Sequence, residues 1–182
     1  MHRSLLVRQV LPAGLLLIGL LLAAVAVDAV LHAAGWAAIG LWLGPMGTLL
    51  IVVSLLYSLR KRKLITYGQP ARLLKWHESL GWFGTVAVLV HGGRHFSALL
   101  PWFAMIAMVV VAASGMIGAV LLKQALAAQR AQPAEPDSSR ALLDALTVDL
   151  MKRWRTVHMP LNAVFAVLAL LHVVTAIALR AW

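Results

Sequence analysis

Apolar residues in this chain arrive in long blocks, each close to the ~20 residues that a helix needs to cross the ~30 Å hydrocarbon core of a bilayer. The blocks are 10–31, 38–59, 73–96, 99–122 and 157–179, and the fourth holds no charged residue. Arg3 and Arg8 ahead of the first block, with the AVA tripeptide within it, resemble a secretory signal, but the run is longer than a signal core and reads as a span. Between the fourth and fifth blocks the pattern changes. Residues 124–156 hold a Pro-containing polar linker and then ALLDALTVDLMKRW, in which Leu142, Leu143, Leu146, Leu150 and Met151 recur near helical spacing. Ser138 or Ser139 is placed to cap that segment. It is expected to be a short amphipathic helix on the cytoplasmic face, its apolar side on lipid or on a partner. The expected fold class is therefore all-α integral membrane: a single membrane domain over residues 1–182 with five transmembrane helices, spans two to five forming most of the functional bundle.

Composition sharpens this picture. With 62% hydrophobic and 12% charged residues, the chain has too little polar surface for a water-soluble globular enzyme. There is no cysteine, which excludes iron–sulfur clusters, zinc–thiolate sites and covalent CxxCH haem attachment. The net charge of +10 raises nucleic acid as a partner, but the position of the charges points elsewhere. If the chain weaves five times, all the Lys and Arg residues except Arg94 and Arg180 fall on one side. Such loops stay in the cytoplasm, which puts the N-terminus inside and the C-terminus outside. Topology and anionic lipid account for the charge, and no nucleic-acid partner is expected.

Chemistry concentrates in the histidines. His77 and His91 lie fourteen residues apart in the third block, and His158 and His172 lie fourteen apart in the fifth. Fourteen helical residues rise ~21 Å and return to within ~40° of the starting direction, so each pair occupies one helix face with one imidazole toward each membrane surface. The third and fifth spans run the same way, so His77 matches His158 in height and His91 matches His172. An imidazole in hydrocarbon is costly and normally paired. Two facing imidazoles can fill both axial positions of a haem iron, and two such levels can hold two stacked haems. Hydrogen-bonded packing residues or a proton path are the plainer alternatives.

The segments KWHESLGWFGTVAVLVHGGRH and RTVHMPLNAVFAVLALLHVVT resemble the paired-histidine helices of the membrane di-haem cytochromes b. That group includes the transmembrane core of ferric reductases and NADPH oxidases, and the haem bundle of quinol:cytochrome c oxidoreductases. The resemblance covers residues 73–180 and is most similar to the ferric reductase arrangement. It implies two non-covalent haem b groups with His77, His158, His91 and His172 as iron ligands, and a quinone as a candidate further cofactor. It departs from those families in having neither a Gly-rich dinucleotide fingerprint nor the quinol-site half of the oxidoreductase cytochrome. The expectation is thus an electron-transfer subunit in the cytoplasmic (inner) membrane of a bacterium. Its partners would be lipid, redox subunits (a cytoplasmic reductase or a periplasmic acceptor) and the quinone pool. The alternatives are a self-sufficient quinone-linked reductase of ferric iron or superoxide, and a haem-free proton or metal transporter using the same histidines.

Other residues are candidates for support. Arg94, three residues after His91, suits a haem propionate or a snorkelling interfacial position. His95 lies one turn beyond His91, suited to a propionate, a substitute ligand, a proton relay or an interfacial position. Asp28 and His32, four apart on the first span, form either an interfacial hydrogen bond or a proton-exchanging pair beside a quinone. Gly81 and Gly84 admit a porphyrin or a neighbouring helix; Ser114 and Gly118 fit helix packing. Asn162 and Thr175 stand one turn from His158 and His172, where they can orient the rings. Pro160 suits the first turn of a helix beginning near His158. The tryptophans, Trp154 among them, read as an interfacial belt.

Overall fold

A computed structural model of the chain describes residues 11–93, 98–131 and 137–179. They form six helices: α1 (Leu11–Ala33), α2 (Ala37–Ser54), α3 (Leu56–Lys61), α4 (Pro70–Gly92), α5 (Leu99–Ala131) and α6 (Asp137–Ala178), with no strand among the described residues. Four stretches, Gly14–Ala33, Ala37–Lys61, Leu99–Ala127 and Thr147–Ala178, are long and apolar enough to cross a membrane. Their outward residues are large and apolar, with Leu22 67% and Trp42 69% exposed, a surface that water does not tolerate over such an area and lipid does. The protein is a multi-pass membrane protein. The helix α4, at 23 residues, is also of spanning length, but Arg72, Lys75, His77 and Glu78 make its first half more polar than the other four.

The chain between the fourth and fifth blocks differs from the sequence-based expectation. Most of the expected linker is helix, because α5 continues without a break from Leu99 to Ala131. The amphipathic segment is not a separate short helix either. It is the leading part of α6, which begins at Asp137, takes Ser138 and Ser139 into its first turn, and runs 42 residues through Pro160. Between Ser139 and Met159 there is neither glycine nor proline, and alanine, leucine and charged residues of good helix propensity fill the interval. Pro160 removes one N–H from the ladder, which an otherwise continuous apolar helix tolerates.

The helices pack as two antiparallel pairs, α2 on α4 and α6 on α5, with α1 and α5 closing against α4. Buried Ala24 of α1, Leu89 and Val90 of α4 and Met108 of α5 form the core, toward the His91 end of the bundle. The α2–α4 contact follows a seven-residue step. Gly40 lies opposite His91, Gly47 opposite Gly84 and Ser54 opposite His77, so each step forward on α2 matches a step back on α4. The stripe Gly40, Gly44, Gly47 and Ser54 is the buried face of α2. Small residues let the two backbones close up: a Cβ on Gly47 would come within 2.8 Å of the Gly84 carbonyl oxygen. On the other pair, Ser114 faces His158 and Gly118 faces Trp154, which sets α5 and α6 antiparallel. Gly92 of α4 faces Met105 of α5, and Leu89 and Val90 pack with Met108, so α4 is also antiparallel to α5 and therefore parallel to α6.

Candidate functional site

The seven-residue register carries both histidines of α4 to the α2 backbone. His77 Nδ1–H donates to the Ser54 carbonyl at 3.1 Å, and His91 Nδ1–H donates to the Gly40 carbonyl at 3.2 Å. The two acceptors, like the two donors, are fourteen residues apart. Ser54 is the last residue of α2, and the helical ladder is interrupted at Leu55, whose N–H reverts to a three-residue bond with Val52 at 3.0 Å. At the other level, Gly44 makes the approach possible, because a Cβ there would stand 2.6 Å from the His91 ring. A carbonyl can only accept, so both rings carry their proton on Nδ1 and turn the Nε2 lone pair away from α2. The Tyr57 ring centroid stands 5.7 Å from that of His77, and Lys61 Nζ lies 5.8 Å from the Tyr57 centroid.

On α6, His158 is buried, 8% exposed, and held on three sides. Its Nδ1 bonds the Ser114 hydroxyl at 3.1 Å, and its Nε2 accepts from the Asn162 amide at 2.9 Å. Trp154 stacks on the ring, with centroids 4.6 Å apart and planes 20° from parallel. The Trp154 indole N–H in turn donates to the Ser114 carbonyl at 2.8 Å, and Gly118 makes room for the indole. Thus Ser114 and Gly118 do more than pack helices, and Trp154 is part of the setting of His158. Asn162 bonds the ring as expected from its position. Thr175 does not: its hydroxyl donates to the backbone carbonyls of Leu171 and His172, both at 2.9 Å.

Because α4 and α6 run parallel, His77 and His158 stand nearer one end of the bundle and His91 and His172 nearer the other. Among the described residues, no three His, Cys, Asp or Glu side chains converge as a bare metal ion would require. Haem iron takes two axial ligands, and His77 and His91, each with Nδ1–H on a carbonyl and Nε2 turned away from α2, suit one such position each. At His158 the Asn162 amide holds Nε2, so coordination there requires that amide to swing aside. Gly84 serves the α2 contact, where a Cβ would stand 2.7 Å from Ile51. Gly81, one turn from His77, has no atom within 4 Å of where a Cβ would lie.

Asp28 and His32 form the expected pair. His32 Nδ1 lies 3.1 Å from the Asp28 carboxylate and 2.9 Å from the Asp28 carbonyl. Asp28, 2% exposed, packs against Gly93 just past the end of α4, where the backbone has φ +39° and a Cβ would collide with the carboxylate. Arg94 and His95 lie outside the described residues, as do Arg3, Arg8 and Arg180. No family model, curated protein or solved structure matches the chain.

Sequence reasoning singled out the four histidines but missed the partners of His77 and His91 on α2 and the part that Ser114 of α5 plays at His158. One signal was present: Gly40 and Ser54 repeat the fourteen-residue step of His77 and His91.

Proposed function

We propose that the protein is a di-haem b-type membrane cytochrome that carries electrons across the cytoplasmic membrane of a bacterium as a subunit of a larger redox complex. What supports this reading is the matched fourteen-residue spacing of His77 and His91 on α4 and of His158 and His172 on the parallel α6, with the Nδ1–H of both α4 rings tied to backbone carbonyls. That tie does two things. It fixes the tautomer, leaving Nε2 as the donor atom, and it holds the ring plane so that little side-chain freedom is lost on coordination. Ser114 and Trp154 orient His158 in the same sense from α5 and α6.

A haem b between two imidazoles supplies a one-electron iron couple with no open coordination position, and the absence of cysteine makes its attachment non-covalent. The residues' work is to hold and insulate, and the chemistry is outer-sphere electron transfer between the two levels and to partner proteins. Five crossings are supported by the α2–α4 register: a bilayer that encloses α2 from Gly40 to Ser54 also encloses α4 from His91 to His77. The basic residues Arg60, Lys61, Arg62, Lys63, Lys152, Arg153 and Arg155 flank the spans at their His77 and His158 ends, and the positive-inside rule supports a cytoplasmic location for those ends and for the N-terminus. The donor is a cytoplasmic reductase or the quinone pool.

The deciding experiment is the reduced-minus-oxidised spectrum of the purified protein with pyridine haemochrome quantification. Two low-spin haem b per chain are expected, one in His91→Ala and one in His172→Ala. A haem-free preparation, or two haems retained in both variants, overturns the assignment.

A further inference from the structure

The turn that joins α3 to α4 is built more closely than a connection between two helices requires. The helix α3 ends in a Schellman cap, in which Lys63 N–H donates to the Arg60 carbonyl at 3.1 Å and Leu64 N–H to the Leu59 carbonyl at 3.0 Å. Lys63 holds the left-handed position of this cap, with φ +60°, and no other non-glycine among the described residues has a positive φ. Glycine ordinarily fills that position, because a Cβ is strained there. Leu64, whose counterpart in such caps commonly packs back on its helix, is instead 68% exposed, as is Tyr67. Across the turn, Arg60 Nε–H donates to the Gly68 carbonyl at 3.2 Å, and Gly68, with φ +88°, lies against Leu73.

Charge is as one-sided as the backbone is constrained. Arg60, Lys61, Arg62, Lys63, Arg72 and Lys75 fall within residues 60–75, and no Asp or Glu occurs anywhere from 29 to 77. On α6, by contrast, Arg153 is answered by Asp149 at 2.8 Å. The positive-inside rule explains basic residues at the end of a span. It does not explain a lysine held where glycine would be unstrained, nor two large apolar side chains held out beside four consecutive cations.

We infer that this turn is a discrete binding site for one anionic phospholipid, which goes beyond a general attraction of basic loops to the membrane surface. Three features select that ligand. Lys and Arg make charge-assisted hydrogen bonds to phosphate, and Arg62, Lys63, Arg72 and Lys75, all exposed, supply them from both limbs of the turn. The stretch Ala37–Lys61 is long and apolar enough to cross a membrane and ends at this turn, so the cations stand at the depth of the headgroups. Leu64, Tyr67 and Trp76 are exposed beside them and suit the boundary between headgroup and acyl chains, a contact that neither free phosphate nor an acidic protein segment needs. Binding is non-covalent and does not depend on the haem reading.

The test uses the full chain, delipidated in a non-ionic detergent. Native mass spectrometry counts bound dioleoylphosphatidylglycerol and dioleoylphosphatidylcholine, and thermal stability is measured on the same samples. The anionic lipid is expected to bind about tenfold or more tightly than the zwitterionic one, and to resist displacement by inorganic phosphate. Lys63→Gly relieves the strained position, so it should keep or raise stability while weakening the anionic lipid about fivefold, the scale of one basic residue at an anionic surface. Leu64→Ser should weaken it as well, and Lys152→Gln, a basic residue on α6, should leave it unchanged. Equal affinity for the two lipids overturns the site, as do equal losses in Lys63→Gly and Lys152→Gln. Displacement by inorganic phosphate reduces it to a simple anion site, and preference for hexaglutamate over the lipid makes it a protein-docking surface; either result also overturns the proposal.

Discussion

At the scale of single residues, the histidines owe their disposition to groups that sequence spacing does not reveal. His77 and His91 are aimed by backbone carbonyls, and His158 by the Ser114 hydroxyl and the Trp154 face. Each such bond is worth only about 1 kcal/mol to folding, yet loss of an outer partner typically costs a metal ligand ~10–100-fold in affinity. Ser114→Ala is therefore expected to leave the fold intact and to lower haem retention at the His77–His158 level by about that factor, measured by haem titration into apoprotein. Gly81 gives a sharper discrimination. No protein atom opposes a side chain there, so Gly81→Leu should keep or raise the thermal stability of the haem-free protein. If a porphyrin lies beside His77, the same variant loses that haem; unchanged haem content would show that Gly81 faces lipid.

Among the elements, α2 is the one whose role was hidden. In sequence it is an apolar span with three glycines and a proline, and nothing in its hydropathy distinguishes it from α1. In the fold, its small-residue stripe is the seat on which α4 is registered, and both histidine levels depend on that one contact. Gly47→Leu would insert a side chain where only 2.8 Å separates a Cβ from the Gly84 carbonyl. Overpacking of this kind costs typically ~1–3 kcal/mol, and because the displaced helix carries both carbonyl acceptors, both haems should weaken together. Loss of one haem with full retention of the other would show that the two levels are held independently. The length of α6 belongs to this scale as well. Local propensity carries the helix as far as Met159, the apolar span tolerates Pro160, and the two together join what hydropathy alone separates into an amphipathic segment and a span.

For the whole molecule, the antiparallel register predicts which turns share a membrane face. Because the chain has no cysteine, single cysteines can be introduced without background. A membrane-impermeant maleimide should reach Lys63→Cys, in the turn between α3 and α4, only from the cytoplasmic side, and Gly35→Cys, in the turn between α1 and α2, only from the opposite side. Labelling of both from one side would remove the alternating topology and, with it, the parallel alignment of α4 and α6 across the bilayer. The same architecture explains why the chain is apolar nearly all round. Its few buried polar groups lie at the α2–α4 and α5–α6 contacts and where Asp28 meets Gly93, while the outer surface is given over to lipid.

Much of this was determined by the sequence alone. Membrane character, the helix class and the matched fourteen-residue steps of His77–His91 and His158–His172 follow from hydropathy and from the 3.6-residue period, which are local properties. Tertiary structure decided the remainder: that Ser54 and Gly40 receive the α4 imidazoles, that Ser114 and Trp154 hold His158, that Asp28 packs against Gly93, and that α6 is continuous. The reason is that a residue's partner on another helix depends on how two helices are registered. That register is set by the fit of glycines against a facing backbone, which no single-helix pattern contains.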